Sequence, residues 1–157
     1  WRQATPTYIG RMPETTLATL HHLVDKRFVG TIPDGRQVLI DGTKEHPLGM
    51  GPMQLLLNAW GGCVAYDVVE MLKKRRAEVR SYRIELEGDR HEGVPAFYTR
   101  LRARHVIDAP GLDRKTFERF VDLAMSKYCS VGQSLSAAQS FEVELLHEAA
   151  PETATGS

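Results

Sequence analysis

The segment from Pro52 to about Arg76 constrains the fold most, because it is the longest helical candidate in the chain. Pro52 suits the first turn of a helix, where its missing N–H leaves no hydrogen bond unmade. Four basic residues at 73–76 complement the negative end of the helix dipole. Apolar positions run almost all round this helix, which predicts burial on most sides. They are Leu55, Leu56, Leu57, Ala59, Trp60, Val64, Val68, Val69, Met71 and Leu72.

Short strands are predicted on both sides of this helix. Three apolar runs lie within residues 16–41, and Pro33-Asp34-Gly35 between the last two is typical of a hairpin turn. Beyond the helix the pattern predicts strands over 79–87, 96–107 and 140–146, and helices over 113–128 and 130–138. On the strand over 96–107, alternation places Phe97, Leu101, Ala103 and Ile107 on one face and Tyr98, Arg100, Arg102 and Arg104 on the other. This order of elements predicts an α+β fold with an antiparallel sheet.

Length and charge restrict the class of protein. The 157 residues fit one domain over 16–147, preceded by an arm over 1–15 and followed by a flexible tail over 148–157. Twenty basic and twenty acidic residues cancel, so neither nucleic acid nor an acidic membrane surface is an expected partner. Polar residues interrupt the apolar stretch over 53–72, and no signal-peptide pattern opens the chain. We therefore expect a soluble cytoplasmic protein that makes no membrane contact.

Cys63 follows Gly61 and Gly62 inside the long helix. Each glycine costs roughly 1 kcal/mol against alanine in a helix interior, so the pair needs a reason. The glycines could admit a close neighbour, or they could break the helix and leave Cys63 near a helix start, where the dipole favours a thiolate. The alternative is a small buried thiol packed in the core.

Cys129 ends the second long helix, 66 positions after Cys63. This separation fits neither a CxxC redox motif nor a zinc half-site. The six histidines are scattered without a metal-binding spacing, so no metal is predicted. From the residues alone, the fold could bring the two cysteines together or leave each as a packing residue.

Three segments together carry a family resemblance: GPMQLLLNAWGGCVAYDVVEMLKKRR, PAFYTRLRARHVI and VDLAMSKYCSV. They resemble the OsmC / organic hydroperoxide resistance superfamily, and AYDVVEMLKKRR and KYCSV resemble its OsmC-like branch. The resemblance implies antiparallel sheets with two long central helices, assembled as an intertwined homodimer. It also implies a thiol-dependent peroxidase that reduces organic hydroperoxides without a cofactor and is recycled by an external dithiol.

The resemblance also assigns roles to residues. Cys63 would attack the peroxide and become a sulfenic acid, and Cys129 would resolve it as a disulfide. Well-characterised members carry a glutamate that pairs with a thiol-activating arginine. Met53 and Gln54 occupy the glutamate region here, and Arg27 and Arg36 are the candidate arginines. Met53, Gln54 and Trp60 are expected to bind the substrate. Because the carboxylate is missing, the alternative function is a non-catalytic module that binds an apolar small ligand in the dimer cleft.

Overall fold

A computed structural model of the chain describes residues 15–148 and separates two units at Pro52. The first unit is a three-stranded antiparallel sheet in the order β1-β2-β3. Its strands are β1 (Thr19–Val24), β2 (Arg27–Thr31) and β3 (Gln37–Asp41). The predicted turn joins β2 to β3, and Gly35 adopts the left-handed conformation there with φ of +90°. Residues 1–14 of the predicted arm and 149–157 of the predicted tail lie outside the described residues.

The second unit contains helices and a second three-stranded sheet. Its helical elements are α1 (Pro52–Lys74), α2 (Arg114–Leu123), a π-helical turn (Ala124–Tyr128), α3 (Ser130–Gln133) and a 3₁₀ turn (Leu146–Glu148). Its strands are β4 (Ser81–Arg90), β5 (Tyr98–Asp108) and β6 (Ala138–Leu145), in the order β4-β5-β6. Asp113 caps α2, because its carboxylate accepts the backbone N–H of Thr116 at 2.9 Å. The sequence therefore predicts every long element here, with bounds that shift by a few residues.

The second sheet is mixed, and the expectation of purely antiparallel sheets is wrong. β4 and β5 pair antiparallel, whereas β5 and β6 pair parallel over the eight residue pairs from Arg100↔Ala138 to Ile107↔Leu145. The reason lies in the connection between β5 and β6, which contains α2, the π-helical turn and α3. A helical crossover of this kind returns the chain to the same end of the sheet and so makes the next strand parallel.

A β-bulge changes which residues of β5 face the core. Asp89 pairs with Arg100, but Arg90 pairs with Tyr98, so Thr99 is an extra residue in β5. The extra residue turns Tyr98 toward the core and leaves Phe97 about half exposed, which reverses the faces predicted for these two residues. Tyr98 lies over Gly88, where an added Cβ would come within 2.4 Å of the tyrosine ring.

Only one face of α1 is buried within the second unit, and the expectation that it is buried on most sides is wrong for the single chain. The buried residues recur every three or four positions and are Trp60, Gly61, Val64, Val68 and Leu72. They pack in a core with apolar residues of β5 and α2 such as Leu101, Ile107, Phe117 and Val121. The 23 residues of α1 are long and apolar enough to span a bilayer by length and composition alone, contrary to our expectation. Its buried face makes it a core helix of this unit.

Candidate active site

Cys63 lies in the middle of α1 and is partly exposed. The helix runs without interruption through Gly61 and Gly62, so of the alternatives left open by the sequence, the helix break with a dipole-activated Cys63 at a helix start does not occur. Gly61 instead permits a close approach, because a Cβ there would come within 2.4 Å of Cδ1 of Leu86 on β4. Apart from its chain neighbours and the nearby backbone of its own helix, no atom of the described residues lies within 4 Å of a Cβ built on Gly62.

Cys129 lies at the junction between the π-helical turn and α3 and is fully buried. Its backbone N–H donates to the carbonyl of Ala124 at 2.8 Å, which closes the wide turn. Its Sγ accepts the backbone N–H of Gly132 at 3.2 Å, so that the cysteine caps the start of α3. π-Helical turns of this kind are frequent at functional sites.

The fold brings the two cysteines together. The partly buried Cys63 side chain packs against the buried cluster that contains Cys129, the two thiols interact, and both are free. Burial raises the pKa of Cys129 well above its usual value, the N–H of Gly132 partly offsets this rise, and the contact with Cys63 adds to it. Cys129 is therefore protonated at neutral pH, and a partly exposed thiol lies in contact with a buried one.

Trp60 is fully buried, and a hydrogen bond fixes its ring. The indole Nε1–H donates to Oε1 of Gln139 at 2.8 Å, while the Trp60 carbonyl lies 4.0 Å from Sγ of Cys129. Met53 lies in the first turn of α1, and its carbonyl accepts the hydroxyl of Tyr98 at 2.8 Å. Gln54, the second residue in the glutamate region, is exposed, and no acidic residue lies in the first turn of α1.

Both candidate arginines belong to the first unit, and each has a carboxylate partner there. Arg27 donates from Nε to Asp41 at 3.1 Å and from Nη2 to the carbonyl of His46 at 3.0 Å. Asp41 is buried and also accepts the backbone N–H groups of Thr43 and Leu48, at 2.9 and 2.8 Å. These bonds, with those of the Thr43 hydroxyl and Arg27, hold the pKa of Asp41 far below its usual value.

Arg36 forms a local ion pair at the hairpin turn. Its guanidinium donates to the Asp34 carboxylate at 2.5 and 2.8 Å, and both side chains are exposed. Within residues 15–148, no group of three histidine, cysteine or acidic side chains is arranged to hold a metal ion.

The comparisons with known proteins identify the family. A family model described as OsmC-like protein matches residues 42–144. The chain belongs to the OsmC-like family. Protein YhfA of Escherichia coli K12 is 35% identical over 111 residues, which cover 71% of this chain and 82% of YhfA. The family match includes both cysteines, all of the second unit up to Glu144 and the loop after β3.

Solved structures of the same superfamily share the fold. A hypothetical protein from Aquifex aeolicus is 30% identical, with a TM-score of 0.74 over 85% of this chain and 97% of that one. An organic hydroperoxide resistance protein OsmC from Legionella pneumophila is 14% identical, with a TM-score of 0.58 over 86% of this chain and 98% of that one. At that identity the Legionella structure supports the fold alone.

Sequence analysis missed two residues at this site. Gln139 bonds to Trp60 although 79 positions separate them, and no local pattern predicts such a pair. Gly132 follows Cys129 by three positions, which is the spacing of a helix cap and its N–H donor, but cysteine is not among the usual capping residues. The sequence signal for Gly132 was therefore present but weak.

Proposed function

We propose that this protein is a thiol-dependent peroxidase that reduces organic hydroperoxides. The Cys63 sulfur attacks the peroxide, the O–O bond breaks, and the products are a sulfenic acid on Cys63 and an alcohol. Cys129 then attacks this sulfur, so that an S–S bond forms, the S–O bond breaks and water leaves with the Cys129 proton. An external dithiol reduces the disulfide, and no cofactor takes part.

One observation carries this proposal: two free thiols of unequal exposure are in contact within one unit. The partly exposed Cys63 is open to a peroxide. The buried Cys129, protonated at neutral pH, is a poor first nucleophile but is in position to close on an oxidised Cys63. A pair of structural thiols would require neither this contact nor this difference.

We further propose that the protein works as a cytoplasmic homodimer, without nucleic acid or membrane as partner. Support comes from α1, whose exposed side bears a shallow groove of about 320 Å³. Its lining residues are Gly62, Ala65, Tyr66, Val69, Glu70 and Lys73. A second copy covering this side would complete the burial that the apolar pattern of α1 predicts. A cleft between copies, with Met53 and Gln54 nearby on the same helix, would favour a peroxide with an alkyl group.

The proposal includes an arginine that holds the Cys63 thiolate, and Arg27 and Arg36 are its candidates. The variants Arg27→Ala and Arg36→Ala distinguish the two candidates. Only removal of the activating arginine should lower the rate constant for peroxide attack on Cys63. Gln54→Glu tests the missing carboxylate: if the helix start normally orients the arginine through a charged bond, the added carboxylate should raise the peroxidase rate.

Steady-state turnover of cumene hydroperoxide with dithiothreitol tests the activity itself. Mass spectrometry of the protein after one equivalent of peroxide should detect a disulfide between Cys63 and Cys129. Absence of turnover, with both thiols slow toward alkylating reagents, would contradict the peroxidase and favour the alternative, a non-catalytic module that binds an apolar ligand in the dimer cleft.

A further inference from the structure

Four residues of the second unit form a closed ring of contacts around the Cys129 thiol. Nε1 of Trp60 donates to Oε1 of Gln139, and Nε2 of Gln139 donates to the carbonyl of Gly132, both at 2.8 Å. The N–H of Gly132 donates to Sγ of Cys129 at 3.2 Å. The ring closes through the 4.0 Å approach of Sγ to the Trp60 carbonyl.

Gln139 is the link that joins three separate elements in this ring. It lies on β6, Trp60 lies on α1, and Gly132 lies on α3. Its amide donates to one partner and accepts from the other, so a side chain with only one of these capacities cannot replace it. Gln139 and Cys129 also fill the space beside Gly132. A Cβ on Gly132 would come within 2.7 Å of Oε1 of Gln139 and 3.3 Å of Sγ of Cys129.

We propose that Gln139 is a positioning residue for Cys129, and that by binding the Gly132 carbonyl it fixes the backbone of this residue so that the Gly132 N–H faces the Cys129 sulfur during disulfide closure. This inference rests on the proposed role of Cys129 as the resolving thiol. As that thiol loses its proton and attacks the sulfur of Cys63, negative charge develops on Sγ. A fixed N–H donor stabilises this charge where solvent cannot reach it. Gln139 itself touches neither sulfur.

A peroxide-free reaction tests the closure step by itself. Ellman's reagent, an aromatic disulfide, reacts with Cys63 to give a mixed disulfide and releases one thionitrobenzoate. Attack of Cys129 on the Cys63 sulfur then forms the protein disulfide and releases the second. Stopped-flow absorbance at 412 nm should therefore show a second-order phase from Cys63 followed by a first-order phase from Cys129. Cys129→Ser should keep the first phase and lose the second.

Two variants of Gln139 separate positioning from packing. Gln139→Met keeps the size but removes both hydrogen bonds, and Gln139→Glu keeps an acceptor for Trp60 but cannot donate to Gly132 when ionised. We expect both to slow the second phase about tenfold, the factor that one hydrogen bond of ordinary net strength contributes, with the first phase unchanged. Gln133→Met is the matched control, because that exposed amide donates to the carbonyl of Ser126 at 3.3 Å outside the ring.

The outcomes decide the inference. A second phase unchanged in Gln139→Glu, or both phases slowed equally, would overturn it, since packing alone would then explain Gln139. If circular dichroism shows that Gln139→Met does not fold, Gln139→Glu decides alone. Two wild-type phases without peroxide turnover would overturn the proposed function but leave the role of Gln139 intact. Peroxide turnover by the wild-type protein, together with an unchanged second phase in the Gln139 variants, would support the proposed function and overturn the role of Gln139. A wild-type protein without a second phase would overturn both.

Discussion

The two sides of α1 differ in what covers them. The side with Trp60 and Val64 is fully buried against the core of the second unit, whereas Tyr66 on the other side is 77% exposed. Both sides carry apolar residues, so the helix is more apolar than its own sheet requires. The core of the single chain therefore accounts for only one side of the apolar pattern, and the other side is the one that the proposed homodimer would cover.

Cys63 lies between these two sides, which gives the comparison its functional meaning. It contacts the buried Cys129 on one side and is partly open on the other. A substrate reaching Cys63 would come from the exposed side, and the resolving thiol would come from the buried side. Each side of the helix would thus supply one step of the proposed reaction.

The largest effect is expected from replacing either cysteine with serine. Cys63→Ser should abolish peroxide consumption, because no thiol accessible to the substrate remains. Cys129→Ser should consume one equivalent of peroxide and then stop, because the sulfenic acid forms but is not resolved. Single-turnover peroxide assays measure both outcomes. If Cys129→Ser prevented the first sulfenic acid from forming, the roles assigned to the two sides would be reversed.

A charge on the exposed side should break the proposed homodimer. Tyr66→Lys would bury an ammonium group between copies, which costs several kcal/mol, so the dissociation constant should rise about a hundredfold or more. Light scattering and sedimentation measure this change at micromolar concentration. Val94→Lys is the control, because Val94 is fully exposed on the β4–β5 hairpin. A wild-type protein that scatters as a monomer of 17.6 kDa would contradict the dimer.

The stability of the second unit should depend on pH through His105, which lies on the sheet behind the buried side of α1. This residue is fully buried on β5, and its Nδ1 lies 2.7 Å from the Tyr82 hydroxyl, while its Nε2 has no partner within residues 15–148. Burial lowers the pKa of His105 to about 4 from an ordinary value of 6.5. The folded state therefore resists protonation, and stability that is complete above pH 6.5 is lost as pH falls toward 4.

The expected loss is roughly 3 kcal/mol across that window, and urea denaturation at several pH values measures it. Carboxylates with lowered pKa values also contribute at the acid end, so the comparison needs His105→Gln, which cannot be protonated. The difference between the two proteins should shrink as pH falls from 6.5 to 4. A constant difference would mean that His105 does not titrate in the folded protein at the pKa its burial implies.

Gly61→Ala tests the close approach on the buried side. An added Cβ would come within 2.4 Å of Cδ1 of Leu86 and 2.8 Å of its Cδ2, so either the leucine changes rotamer or α1 moves away from β4. Overpacking of this kind costs about 1–3 kcal/mol, more than the gain in helix propensity. Denaturant unfolding measures the change. Gly61→Ala combined with Leu86→Ala should recover part of the loss, because the smaller side chain leaves room for the new methyl group.

Much of the fold follows from local sequence signals. Pro52 and the basic residues after Leu72 predict both ends of α1, and Gly35 predicts the hairpin turn. Features that depend on distant partners do not follow. The bulge at Thr99 and the parallel pairing of β6 arise from how strands meet, and a period-two pattern contains no information on either.

The site divides in the same way. The pairing of the two cysteines comes from the family resemblance, since 65 intervening residues leave nothing local to join them. The amide bridge of Gln139 to Trp60 had no signal, because a single glutamine in a strand is usually a surface residue. The sequence places Trp60 among the substrate-binding residues, yet its ring lies in the core. The apolar pattern of α1 runs round the helix and does not show which side packs against the chain's own sheet.

The smallest effect, and the one that separates the two sides most directly, is expected from Gly62→Ala. Outside the helix itself, nothing in residues 15–148 lies within 4 Å of the new Cβ, so alanine should stabilise the helix by up to about 1 kcal/mol through its better propensity. The change in the free energy of unfolding should therefore have opposite signs for Gly61→Ala and Gly62→Ala. The measurement is denaturant unfolding over a range of protein concentrations. A loss of stability that grows with concentration would place a partner surface directly on Gly62, as close to it as Leu86 is to Gly61, and would put the dimer contact next to Cys63.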